Sequence, residues 1–293
     1  MHGDARNEVR AIQFMHPGRE ITIVPHIEGG GCLHGRKFVH ACGSYLTADN
    51  NKQCGPIMFW CEYEQPLEFK PLKERPDNTY PRYIQTLRPA HYIQNVQGEE
   101  SGCTNTDPYI FGEYMLYSNC RQRHYISLRK LGPGAIIVFG SRIGGSFCFD
   151  TVFVVSKVLC KFYIGYDKKS HKIEELQNLK KNNCISENFW QATIEPLLHD
   201  DAAADCEYVL YKSATYQEGE HNKMYSFFPC KPLDDKGFPR PKAKDKRISH
   251  KMFTGIHFIH QGSGLAFDFW KSLQQDVLES GLCLGVSVEE PAE

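Results

Sequence analysis

Between residues 105 and 122 the chain reads NTDPYIFGEYMLYSNCRQ, a stretch unusually dense in side chains that can do chemistry. Asn105, Asn119 and Gln122 each carry a hydrogen-bond donor and an acceptor, the combination needed to read a base edge or a ribose. Tyr109, Phe111, Tyr114 and Tyr117 offer flat faces for stacking, as pockets for single-stranded or extruded bases do. Asp107 adds a carboxylate that could act as a base or stabilise positive charge. The same residues also suit plainer work. Asn105-Thr106-Asp107-Pro108 is a good turn or helix cap, and tyrosines of this kind also fill cores.

Asp150 is the second pointer. In the run FCFDTVFVV (147–155) simple alternation gives it Cys148, Val152 and Val154 as same-face neighbours. A carboxylate there is costly unless paired or hydrogen-bonded. It is therefore expected to be buried, hydrogen-bonded and facing 105–122. The run IMFWCEYE (57–64) places Ile57, Phe59, Cys61 and Tyr63 on a core face and Met58, Trp60, Glu62 and Glu64 on the other. Trp60 is a stacking platform beside Glu62, a candidate acid or base, although glutamates at a strand end also simply face solvent. Arg36, and the Lys/Arg loop around Arg240, offer cations for phosphate. The geometry that unites these features is a cleft, its wall the Trp60/Glu62/Glu64 face and its floor the 105–122 segment.

The common catalytic signatures are absent: no G-x-S-x-G elbow, no Walker lysine, no H-E-x-x-H and no dinucleotide fingerprint. Gly29-Gly30-Gly31 precedes no apolar helix, and Gly144-Gly145 suits a hairpin turn. Twelve cysteines include no CxxC, and Cys32, His34, His40 and Cys42 match no common zinc spacing. No metal and no cofactor is expected. Lys and Arg total 34 against 35 Asp and Glu, a net charge of -1. That balance disfavours a chain that coats duplex DNA by bulk charge, while leaving room for a local basic groove. No apolar run approaches the ~20 residues of a membrane span. The polar N-terminus, MHGDARNEVR, is no signal peptide, so a cytoplasmic chain with free thiols and no membrane partner is expected.

Strands are expected at 20–24, 57–64, 135–139, 147–155 and 159–164, with 135–139 and 147–155 forming an antiparallel hairpin. A helix is expected over 121–131, stopped by Gly132-Pro133-Gly134. Beyond residue 166, helices are expected over 168–181, 186–198 and 267–278, with Ser186 as N-cap and Pro196 as a bend or end. Strands are expected at 207–212, 225–228 and 282–288, and a loop over 234–247. The class is α+β: a mixed, curved sheet or partly open barrel with packed helices over 1–165, and an α+β extension over 166–293, separate or packed with the first as one globule.

The order NTDPYIFG, YSNCRQ, LRKLGPGAIIVFGS, FCFDTVFVV resembles the bacterial nucleotide-modification-associated domain proteins, found with DNA base-modification and phage-conflict genes. Its rhythm is similar to that of the PUA, ASCH and EVE group of small β-barrels, which bind RNA or modified bases. The resemblance covers about residues 36 to 160. This chain has Gly134-Ala135 where that group's leader element carries Gly-Asp. The resemblance implies a PUA-like fold and a role in DNA modification or antiphage defence, with other defence or modification proteins as possible partners. By position, it implies that Asn105, Asp107, Asn119, Gln122, Ser141 and Asp150 line a pocket for a nucleotide or an extruded base. Two functions follow: a reader of a modified base or nucleotide, or a transferase or glycosidase using paired carboxylates among Asp107, Asp150 and Glu62.

Overall fold

Alternating aromatic and β-branched residues make the chain mostly strand in the computed structural model, which describes residues 11–15, 36–64, 68–90, 106–167, 169–252, 255–259 and 263–292. The strand expected at 20–24, the Gly29–Gly31 run, Cys32, His34 and Asn105 lie outside the described residues. The strands are β1 (Ala11–Met15), β2 (Arg36–Leu46), β3 (Lys52–Glu62), β4 (Glu68–Pro71), β5 (Tyr83–Thr86), β6 (Leu116–Tyr117), β7 (Ile136–Ile143), β8 (Ser146–Ile164), β9 (Cys206–Ser213), β10 (Phe228–Pro232), β11 (Gly255–Ile259) and β12 (Cys283–Val288).

They form two mixed sheets. One runs β11-β1-β7-β8-β9-β6, and the other β12-β10-β3-β2-β5-β4. Because β12 also pairs with β2, strands β2, β3, β10 and β12 close into a ring beside the open β5-β4 edge. The class is α+β with a partly closed sheet. β7 and β8 are antiparallel neighbours, as the hairpin pattern predicts, with Ile136 opposite Val154. The runs 147–155 and 159–164 are one strand, not two. Register shifts near residues 156 and 159 accompany the passage of β8 from β7 to β9.

The helix expected over 121–131 is reduced to a 3-10 turn at Ile126–Lys130. Tertiary hydrogen bonds replace helical ones there. Gln122 brackets Val209, donating to its carbonyl and accepting from its N–H, both at 2.9 Å. The Tyr211 hydroxyl donates to the Leu128 carbonyl and accepts from the Leu131 N–H. Of the expected 168–181 helix, only Glu174–Lys181 forms. Ser186 caps the next run through its hydroxyl, at 3.0 Å from the Phe189 N–H. That run passes through a π-turn at Trp190–Ile194 into Glu195–Leu198. Pro196 has no N–H to give the Ala192 carbonyl. Thr106 N–H takes its place at 3.3 Å, tying the polar segment to this helix.

From Ile57 onward both faces of β3 are buried. Ile57, Phe59, Cys61 and Tyr63 enter one core with Tyr109, Phe111, Tyr117, Phe153 and Tyr211. Met58 and Trp60 enter a second core with Phe38, Phe149, Val152, Phe227, Trp270 and Leu273. The even face is therefore no cleft wall. The helix Ser263–Glu279, amphipathic at Trp270, Leu273 and Val277 as the sequence predicts, covers it together with Phe238 of the 234–247 loop.

β8 changes face midway. Phe147 and Phe149 share the second core with Val152 and Val154, whereas Phe153 and Val155 lie in the first. The parity switches at a bulge: Phe139 faces Thr151 and Gly140 faces Phe149, so Asp150 is the extra residue. Asp150 therefore shares the second-core side with Val152 and Val154, as plain alternation has it, whereas the bulge parts it from Cys148. Gly140 permits this packing, because a Cβ there would sit 2.4 Å from the Cys148 carbonyl oxygen.

Candidate functional site

Arg36 opens β2, Glu62 closes β3, and the two are direct cross-strand partners. On a sheet with one wet face this would be a surface ion pair. Here both side chains are buried, and the bulge brings Asp150 to them from the other sheet. The Arg36 Nη1 donates to Glu62 Oε2, and its Nε donates to Asp150 Oδ2 at 2.7 Å. From the 234–247 loop, Arg240 Nη1 reaches the same Asp150 oxygen at 3.3 Å and Ser141 Oγ at 3.0 Å. Thr151 Oγ1 donates to Asp150 Oδ1. The Arg240 guanidinium lies 5.4 Å from the centre of the Trp60 ring, whose Nε1 donates to the Phe238 carbonyl at 2.9 Å.

The cluster is dry: the side chains of Arg36, Glu62, Asp150 and Arg240 are at most 1% exposed. Burial alone would lower the Arg36 pKa, but Asp150 and Glu62 outweigh it and hold the guanidinium firmly protonated. The Arg36 Nη2 is buried and has no hydrogen-bond partner among the described residues.

The residues of the polar segment do other work. Asp107 accepts backbone N–H bonds from Ser118, Asn119 and Cys120, at 2.9, 2.8 and 2.6 Å. Burial pushes its carboxyl up to about 6, and the three donors work against that rise. Tyr117 stacks on Tyr211 inside the first core, fully buried, and its hydroxyl donates to the Cys120 carbonyl. Tyr109 is buried and accepts from Asn188 Nδ2 at 2.6 Å. Asn119 donates to Ser118 Oγ.

The expected site therefore divides. Arg36, Trp60, Glu62, Ser141 and Asp150 come together on the second-core side. Asp107, Tyr109, Tyr117, Asn119 and Gln122 form a turn-and-core assembly on the first, so Asp150 is buried and hydrogen-bonded as expected, but its partners are Arg36, Arg240 and Thr151 and, among the described residues, none of 106–122. Cys120 lies between the groups, its thiol within electrostatic reach of Glu62, Asp107, Arg121 and Arg36. Burial pushes that thiol well above its ordinary pKa, so it is held as a neutral SH.

Arg240, expected in a basic loop as a cation for phosphate, is instead buried in the cluster against Asp150 and Ser141. Its flanking prolines, Pro239 and Pro241, and nearby Phe238 were the available signal of a strap pressed onto a core. The Pro241 carbonyl accepts from Phe149 N–H, and Ala243 N–H donates to the Phe147 carbonyl, so this strap runs along β8. Other cations of the loop are also paired: Lys236 with Glu74 and Lys244 with Glu279, at 2.9 and 2.7 Å. A groove of about 820 Å³ beside Lys180, Glu187 and Trp190 shares no residue with the cluster.

Among the described residues no group of three or more His, Cys, Asp or Glu is placed to hold a metal ion, and no helix is long and apolar enough to cross a membrane. Comparison with protein-family models, with curated proteins and with solved structures gives no match.

Proposed function

We propose that this chain is a nucleotide-handling protein that recognises a single base or nucleotide at the Arg36–Glu62–Asp150–Arg240 cluster. The observation that carries this reading is the buried Arg36 Nη2, whose donor capacity is unused while the rest of its guanidinium is fixed by two carboxylates. A positioned donor among fixed acceptors is the element from which base-edge recognition is made. The resemblance over residues 36 to 160 points the same way, toward DNA modification or antiphage defence. Tyr109, Tyr117 and Trp60 are not the stacking platforms in this reading, because they are spent on packing.

The test is equilibrium binding of deoxynucleoside monophosphates and a short single-stranded oligonucleotide to the wild-type protein and to Arg36→Lys, with thermal melts as a folding control. Lysine cannot hold both carboxylates in a planar fork, so affinity should fall by about tenfold or more. A folded wild-type protein that binds none of these ligands would refute the proposal.

A second reading, a base-acting transferase or glycosidase, draws on one observation: Glu62 and Asp150 converge on the same guanidinium. Such chemistry needs one carboxyl to carry a proton, and an arginine gripping both opposes that. Release of free base from a bound nucleoside, abolished in Glu62→Gln, would favour the enzyme over the reader.

A further inference from the structure

We infer that Cys230 and Cys283 are a redox-active dithiol, which a peroxide converts into a cross-strand disulfide at the seam between β10 and β12.

The two residues are direct partners in the antiparallel ladder, and both thiols are free. Pairs in such a ladder alternate between exchanging two backbone hydrogen bonds and exchanging none. Pro229 stands opposite Leu284 and has no N–H to exchange. The hydrogen-bonded pairs are therefore Phe228/Gly285 and Cys230/Cys283. The Cα atoms of such a pair lie about 5.5 Å apart, inside the roughly 4.4–6.8 Å that a disulfide spans. The two side chains also share a face: Cys230 belongs to the first core, and Cys283 packs against that core. The Cβ atoms of a hydrogen-bonded pair stand about 5.5 Å apart, wider than the roughly 3.8 Å of a relaxed disulfide. Closing the bond therefore draws the strands together and strains it, and strained disulfides are the readily reduced ones.

Exposure orders the chemistry. Cys230 is fully buried, with Phe59 opposite it on β3. Cys283 is half-buried at the start of β12, so peroxide meets it first. Its sulfur attacks one peroxide oxygen: an S–O bond forms, the O–O bond breaks, water leaves and the thiol becomes a sulfenic acid. The Cys230 sulfur then attacks the sulfenic sulfur. An S–S bond forms, the S–O bond breaks, and the hydroxyl leaves as a second water with the Cys230 proton. Two thiols are oxidised and one peroxide is reduced. Burial raises both thiols above their ordinary pKa, so the protein rests as the dithiol and reacts more slowly than an exposed thiolate would. Cys54 competes for the same sulfenic acid, since it, Cys230 and Cys283 all lie within electrostatic reach of Tyr45. Cys54 belongs to β3, however, and β12 pairs with β10 and β2.

The full-length protein, reduced and then freed of reductant, is treated with hydrogen peroxide while folded. Remaining thiols are alkylated and the digest is mapped by mass spectrometry. We expect a peptide pair linked through Cys230 and Cys283, lighter by two hydrogens than its parts, and reopened by reduced glutathione. In Cys230→Ser the sulfenic acid on Cys283 should persist and be captured by dimedone, whereas in Cys283→Ser Cys230 should stay reduced. A bridge from Cys283 to Cys54 or to any other cysteine would overturn the inference. So would oxidation of Cys283 to the sulfinic acid with Cys230 still reduced, both thiols untouched after exposed Cys42 and Cys184 have reacted, or a bridge that glutathione leaves closed. Should either variant fail to fold, the wild-type map alone decides.

Discussion

At the scale of single residues, two buried aspartates have opposite circumstances. Asp150 is held by two guanidiniums and a threonine hydroxyl. Asp150→Ala strips Arg36 and Arg240 of their shared partner inside a dry interior. Breaking a buried ion pair from one side costs about 3–5 kcal/mol, so urea unfolding should show a loss of that order. A loss under about 1 kcal/mol would mean that water reaches the cluster. Asp107 has backbone donors alone, and its carboxyl is raised from 3.8 to about 6. Between those values the folded chain keeps a proton that the unfolded chain releases, so stability declines as pH rises through that window. The stability of the wild type relative to Asp107→Asn should therefore fall by about 2 kcal/mol from pH 4 to pH 6, out of about 3 kcal/mol over the whole titration at ~1.4 kcal/mol per pK unit. A difference independent of pH would contradict the assignment.

At the scale of elements, the decisive device is the bulge at Gly140 and Asp150. It shifts β8 by one residue against β7, reverses which core its side chains enter and removes Asp150 from the strand's regular alternation. Gly140→Ala would drive a methyl against the Cys148 carbonyl and the Phe149 backbone. Overpacking of this kind costs about 1–3 kcal/mol. Thermal melts should show that loss, and ligand affinity should fall with it because Asp150 moves. Unchanged melting would show that the bulge relaxes without cost. The helix Tyr216–Asn222 offers a control away from the site. Thr215 and Glu218 form a reciprocal capping box, and Thr215→Ala should cost about 1 kcal/mol without touching ligand binding.

At the scale of the whole molecule, both sheets draw strands from both halves of the chain. β9 completes the sheet of β7 and β8, and β10 and β12 close the ring begun by β2 and β3. β3 and β8 each present side chains to both cores. Fragments 1–165 and 166–293 would therefore each expose an unpaired strand edge and half of two cores. Neither fragment alone should give a cooperative melt, and the intact protein should unfold in one transition by both fluorescence and circular dichroism. Independent folding of either fragment would refute this.

Local pattern was sufficient for much of this architecture. The apolar run 135–139 between glycine turns reads as a buried strand, the heptad-like spacing of Trp270, Leu273 and Val277 as a helix, and Ser186 as its neighbour's cap, because each signal acts within a few residues. The same holds for Asp150: a lone carboxylate among β-branched residues must find a partner, whatever the fold. Its partners were not legible. Arg36, Glu62 and Arg240 are separated from it by 114, 88 and 90 positions, counting from their residue numbers, and only the closing of two sheets brings them together. The polar segment shows the converse. Asn119, Gln122, Tyr109 and Tyr117 carry groups fit for recognition, but whether an amide reads a ligand or a backbone depends on what lies opposite. For Gln122 that is Val209, brought there by strand pairing between β8 and β9, a long-range event with no local trace.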